Sequence, residues 1–115
     1  MATVLSAKQS PRFENNVLCY YEGDTFTLPL IISMEKDGAP VSIGTGDTIT
    51  VSFVPDGRET AIETLSFTNV QDNTVTIDWN AEMTKKFPRG RYFYRLRFNG
   101  ERVATLLSDC EVHVE

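Results

Sequence analysis

The sequence predicts an all-β, antiparallel sandwich of seven to nine short strands with one short helical turn. Three observations carry this. Apolar and polar residues alternate with period two through most of the chain. Turn residues rich in Gly, Asp, Asn and Pro recur at roughly 8–12-residue intervals. Strand patterns never alternate with long helical ones, which argues against a parallel α/β sheet and leaves a small closed barrel as the other architecture.

Residues 1–11 form an N-terminal arm closed by Pro11, with too few apolar groups to make a local core. Residues 12–115 form the single domain. A first strand spans Phe13 to Tyr21, bulged or bent at Asn15-Asn16. Glu22-Gly23-Asp24 turns the chain into TFTLPLIISM, where Phe26, Leu28, Leu30 and Ile32 share one face. Pro29 cannot donate to a ladder, so it marks an edge or a break. Asp37-Gly38 centres the next turn, and Val41–Ile43 is a short strand. Ile49, Val51 and Phe53 then alternate with Thr48, Thr50 and Ser52.

Pro55-Asp56-Gly57 is a turn in which Pro presets φ and Gly takes the left-handed position. A strand at 60–68 carries Ile62, Leu65 and Phe67, and its broken alternation predicts a bulge after Glu63. Gln71-Asp72-Asn73 turns into Thr74–Trp79, with Val75, Ile77 and Trp79 inward. Asn80 caps a helical turn at 80–87, ended by Pro88 and Gly90. The stretch Arg89 to Leu107 reads as a hairpin about Asn99-Gly100, a dipeptide suited to a type I′ turn. A two-residue loop there sets Phe98 opposite Glu101, Leu96 opposite Val103, Tyr94 opposite Thr105 and Tyr92 opposite Leu107. The other face carries Arg91, Phe93, Arg95, Arg97, Arg102, Ala104 and Leu106. Ser108-Asp109 separates this hairpin from a last strand with Cys110, Val112 and Val114 inward.

With 115 residues, 41% of them hydrophobic, the chain is long enough for one core. The net charge of -5 disfavours nucleic acid and anionic membranes as partners. No apolar run approaches a membrane span, and the N-terminus lacks a signal-peptide pattern. Cys19 and Cys110 lie in strands near opposite ends of the chain. They are read as two small buried apolar residues, with a disulfide between them left open. His113, the single histidine, sits between Glu111 and Glu115 on an outer face, which is no metal site. Cys110 points away from His113, and the aspartates fall in turns, where Asp is expected for local hydrogen bonding. No catalytic, metal or cofactor constellation emerges, and the expectation is a non-enzyme without cofactors.

The arginines remain. Arg91, Phe93, Arg95, Arg97 and Arg102 are the candidate protein-interface residues. With Arg97 opposite Arg102, the alternatives are a solvated or glutamate-paired face and a docking surface for an acidic partner.

Several segments, in order, resemble the immunoglobulin-like N-terminal domain of phage baseplate upper proteins. They are Glu22 to Leu30, Asp37 to Val41, Asp47 to Phe53, the helical turn of Trp79 to Phe87, Pro88 to Leu96, and Arg102 to Ser108. Asp109 departs from the family pattern, which has Gly there. The resemblance implies an immunoglobulin-like sandwich and a structural component of a bacteriophage virion, made in the bacterial cytoplasm without a signal peptide. Its partners would be other virion proteins and copies of itself, in a baseplate, tail, fibre-base or capsid-associated role. A carbohydrate-binding or adhesin-type module is the alternative. The carbohydrate reading needs Tyr20, Tyr21 and Phe93 exposed as one flat aromatic platform.

Overall fold

A computed structural model describes residues 2–33, 35–100 and 103–115. The strands are β1 (Arg12–Glu14), β2 (Val17–Tyr20), β3 (Phe26–Ile31), β4 (Glu35–Lys36), β5 (Ala39–Pro40), β6 (Thr48–Pro55), β7 (Glu63–Thr68), β8 (Thr74–Trp79), β9 (Gly90–Asn99) and β10 (Val103–Val114), with helical turn α1 (Ala81–Thr84) after β8. A six-stranded sheet runs β1-β2-β10-β9-β6-β7. β3 and β8 form a two-stranded cover sheet, and β4 and β5 a small separate ribbon. This is the predicted all-β sandwich. One pairing differs from expectation: β2 and β10 run parallel, with Leu18 opposite Val112 and Tyr20 opposite Val114.

The core lies between the two sheets, where the period-two pattern sends it. β6 buries Ile49, Val51 and Phe53; β8 buries Val75, Ile77 and Trp79; β9 buries Tyr92 and Leu96. Tyr94 packs against this cluster from a partly buried position. At the centre Trp79 stacks on Phe26 (5.3 Å, 10°) and meets Tyr20, Phe53 and Phe87 at ring separations of 4.9–5.4 Å. Its indole N–H donates to the Tyr20 hydroxyl at 3.2 Å, a buried bond between the two sheets.

Asn80 caps α1 as predicted, its side chain accepting from Met83 N–H at 2.9 Å. The chain then turns into β9 under a second lock. The Tyr92 hydroxyl donates to the Pro88 carbonyl at 2.6 Å, the corner contact common in immunoglobulin-type sandwiches.

Turn chemistry corrects the sequence reading in several places. Asn15 and Asn16 have φ of 52° and 65° and make a two-residue hairpin loop between Glu14 and Val17, rather than a bulge in one strand. The same loop geometry recurs at Asp37-Gly38 and Asp72-Asn73. Asn99-Gly100 does not use it. Asn99 stays in β9, pairs with Val103 and donates to Thr50 Oγ1 at 3.2 Å. Gly100 serves space instead, because a Cβ there would lie 2.6 Å from Asp47 Oδ1 and 2.8 Å from the Phe98 ring. The longer loop reverses the expected faces at the start of β10, while Val112 and Val114 farther along are buried as expected. Thr105 pairs with Arg97 and Ala104 with Phe98. Val103 is 58% exposed, and Leu106 packs against the core. The expected partner Glu101 lies outside the described residues. No break occurs at Ser108-Asp109; β10 runs through, absorbing two register shifts between Thr105 and Cys110.

Other expectations resolve simply. Segment 41–43 is not a strand. The Asn73 amide stands in for a strand partner, donating to the Val41 carbonyl and accepting from Ile43 N–H, each at 2.9 Å. The strand expected at 60–68 begins only at Glu63, and its ladder with β6 runs without the bulge expected after Glu63; Ile62 N–H, just before the strand, bonds the Phe53 carbonyl at 2.8 Å. Both cysteines are free, Cys19 buried and Cys110 half-buried. Residues 2–9 have no regular structure and are exposed throughout.

Two outcomes test this core. Trp79→Ala should cost ~3–5 kcal/mol in denaturant unfolding, and a loss under about 1 kcal/mol would place Trp79 outside the core. Tyr20→Phe removes the acceptor of a buried N–H and should cost about 1–3 kcal/mol. On the alkaline side, burial, with Cys110 adding, pushes the Tyr94 hydroxyl up to about 12. A raised tyrosine stabilises the fold fully below its unfolded value near ~10 and loses that contribution as pH climbs beyond it. Thermal stability should therefore fall between about pH 10 and 12, and Tyr94→Phe should flatten that decline.

Candidate docking face

β9 lies between β10 and β6, so its side chains are held from both flanks. Alternation turns Tyr92 and Leu96 into the core and sets Arg91, Arg95 and Arg97 exposed on the outer face, with Phe93 half-buried among them. Their neighbours on β6 are small: Thr50 opposite Arg97, Ser52 opposite Arg95 and Val54 opposite Phe93. On the other flank Thr105, not Arg102, stands opposite Arg97. The expected like-charge pair is replaced by a cation beside a hydroxyl residue. Arg102 itself lies outside the described residues.

The structure adds a residue to this face that sequence reasoning missed. After β6, Asp56-Gly57 turn the chain back, and Arg58 N–H bonds the Pro55 carbonyl at 3.0 Å. Arg58 and Glu59 thereby join Ser52, Val54, Phe93, Arg95 and Arg97 around a groove of about 380 Å³. The signal for Arg58 was the Pro-Asp-Gly turn itself. A tight reversal returns the residue after Gly57 beside the strand it left. Arg91 is outside the groove, opposite His113 at the far end of β9, where its carbonyl accepts from Asp56 N–H.

Charge pairing elsewhere is partial, since among the described residues Lys8, Lys85 and Arg89 have no ion pair. Arg12 is held by Glu14 at 2.7 Å and Glu115 at 2.6 Å, Lys86 by Glu63, and His113 by Glu111 at 2.9 Å. Hydrogen bonding to these cations lowers the carboxyls of Glu14 and Glu63 below the ordinary range. Among the described residues, Arg58, Arg91, Arg95 and Arg97 have no ion pair. Among the described residues Arg97 has no glutamate partner, which leaves it in the solvated arrangement. A protein with net charge -5 holds three guanidiniums without an ion pair, those of Arg91, Arg95 and Arg97, on the outer face of β9, with Arg58 beside the last two at the groove.

The other candidates separate. Cys19 and His113 are cross-strand neighbours in the parallel pair, and His113 binds Glu111. However, burial pushes the Cys19 thiol up, away from the thiolate a nucleophile needs, and its Sγ points to the Val17 carbonyl at 3.6 Å. Among the described residues no three His, Cys, Asp or Glu side chains converge as metal ligands. The aromatic platform does not form either. Tyr20 is fully buried, Tyr21 is 40% exposed under the Arg12 guanidinium, and Phe93 lies between arginines. Tyr20 was drawn inward because β2 alternates in step with β10, burying Leu18 and Tyr20 alongside Val112 and Val114.

The fold and face define an all-β sandwich with a cationic groove on its larger sheet. No family model, curated protein or solved structure matches the chain.

Proposed function

We propose that the protein is a non-enzymatic structural component of a bacteriophage or prophage virion. It acts as a baseplate, tail or fibre adaptor, or as a capsid-associated domain, docking an acidic surface of another virion protein into the groove at β6 and β9. The observation that carries this reading is the cluster of ion-pair-free Arg58, Arg95 and Arg97 around half-buried Phe93. An aromatic anchor among guanidiniums is the chemistry that dominates protein interfaces, since arginine and aromatics bury large surface while fixing bidentate partners. Centring it on β9, paired on both sides, gives a rigid platform that needs little ordering on binding.

The resemblance to immunoglobulin-like baseplate domains supports the same reading. Its segments fall on β3, β6, the α1 turn and β9, and the Tyr92 corner fits that type of sandwich. Physically, a net-negative subunit with one positive face meets an acidic neighbour in few orientations. Such complementarity sets register and association rate more than affinity. The buried Tyr20 leaves the carbohydrate alternative without its platform.

Reversing Arg95 and Arg97 to Glu tests the docking. Both side chains point outward, so thermal stability should stay within about 0.5 kcal/mol of wild type. Incorporation into particles, read by quantitative mass spectrometry of purified virions, should be abolished. Wild-type occupancy of the double variant would reduce the groove to solvated surface and overturn the assignment.

A further inference from the structure

The cover sheet is two strands wide over a sheet of six, and one of its edges is left open on the wider side. Phe26 of β3 meets Tyr20 of β2 at 5.1 Å, and Trp79 of β8 meets Phe53 of β6 at 5.3 Å. β3 therefore lies over the β2 side and β8 over β6, so the outer edge of β8 looks toward β7. There the inward residues Leu65 and Phe67 are only partly buried. A strand added beside β8 would lie over these two residues.

Hydrogen-bond alternation fixes what this edge offers. Ile32 N–H bonds the Asn73 carbonyl at 2.7 Å. Counted along the ladder from that bond, Val75, Ile77 and Trp79 exchange bonds with β3. Thr74, Thr76 and Asp78 aim their backbone groups outward. Gln71 pairs with Thr74 on this edge, and the chain then leaves for β7. Beyond that point no strand among the described residues lies beside Thr76 or Asp78. The opposite edge is guarded, because Pro29 removes one of its donors. β8 has no proline or lysine. An unguarded, unpaired strand is a template for another chain.

We propose that this edge accepts residues 2–9 of a second copy of the chain as an added strand. Those residues are exposed throughout, with Val4 89% and Leu5 88% exposed, large apolar side chains that nothing covers in the isolated chain. In an added strand they face opposite ways, and one of them enters the space beside Leu65 and Phe67. Charge fits as well. Residues 2–9 carry Lys8 and no acid, while Asp72, Asp78 and Glu82 flank the edge.

Length selects a second copy over the same chain. The arm is rooted where Ser10 Oγ bonds Asp24 at 2.7 Å, beside the start of β3. Crossing the cover sheet to its far edge takes roughly 10–15 Å of chain, and Val4 and Leu5 lie only ~17–20 Å from the root when extended. The chain's own arm would bring them to the entrance of the edge rather than along it. A neighbour's arm enters without that detour. Because arm and edge are different surfaces, the contact is head-to-tail and builds a ring, a filament or a reciprocal pair.

The association rests on the arm and the edge, not on the arginine groove, and the two are separable. Sedimentation equilibrium of the full chain from micromolar to millimolar concentration should show the mean mass rising to at least that of a dimer. Deleting residues 2–9 should leave a monomer at every concentration, as should Thr76→Pro, which removes a donor on the open side only. The Arg95→Glu/Arg97→Glu chain should associate like wild type. If Thr76→Pro fails to fold, the deletion chain still decides. A synthetic peptide of residues 2–9 should shift the Thr76 and Asp78 amide resonances of that chain and slow their hydrogen exchange. A full chain that stays monomeric at millimolar concentration overturns the proposal. So does a deletion chain that still associates, or an oligomer whose Thr76 and Asp78 amides exchange freely.

Discussion

The bond from the Trp79 indole to the Tyr20 hydroxyl is the point on which the two sheets depend. It joins β8 of the cover to β2 of the larger sheet, in a region where neither residue touches water. A two-stranded cover cannot hold itself, since an isolated pair of strands is marginal in water. It must be fastened to the sheet below. Antibody-type sandwiches use a disulfide between the sheets, but here both cysteines are free. Aromatic area replaces it. Phe26, Phe53 and Phe87 surround Trp79, and each ring buries far more surface than a cystine bridge. The hydrogen bond adds direction to that area. Rings alone would tolerate a slipped cover, whereas an indole N–H with a single buried acceptor does not.

That fastening determines which surfaces are left over. Because Trp79, Phe26 and Tyr20 pin the cover to the β2 and β6 region, the inner face under β7 is only half closed. On the outer face of the large sheet, in contrast, Arg91, Arg95 and Arg97 of β9 are exposed. There β9 needs no apolar residues, and its alternate positions are free to carry charge. The chain places arginines there and separates them with Thr50, Ser52 and Thr105 on the flanking strands. Small hydroxyl neighbours cost no repulsion and leave the guanidiniums mobile enough to meet a partner.

Much of this was legible from alternation alone. The inward faces of β6, β8 and β9, the capped turn at Asn80 and the outward arginines all follow from side chains that repeat every second residue or cap a helix end. What was not legible is pairing across distance. Asn99-Gly100 has the strongest local signature of a tight turn. It is overridden because Asn99 bonds Thr50 on β6, and because Asp47 and Phe98 crowd Gly100. Asn15-Asn16, a weaker signature, forms the tight loop because no strand competes for it. One displaced loop then flips the start of β10, since a register change by an odd number of residues exchanges the two faces, until the two later register shifts restore Val112 and Val114 to the core. The parallel pairing of β2 with β10 and the return of Arg58 to the groove are likewise contacts between segments far apart in sequence. No local window holds that information.

The same limit explains why charge count misleads for this protein. A net charge of -5 argues against an anionic partner when it is spread evenly. Here Glu14 and Glu115 share the one charge of Arg12 and Glu63 pairs with Lys86, outside the groove lining. Among the described residues Glu59 is the one acid lining the groove, against three arginines. What a neighbour meets within a screening length of about 8 Å is therefore positive, while the remote acids set only the overall sign. Sequence-wide charge describes how the protein repels its own kind in dilute solution. The pairing pattern describes which face overcomes that repulsion at contact.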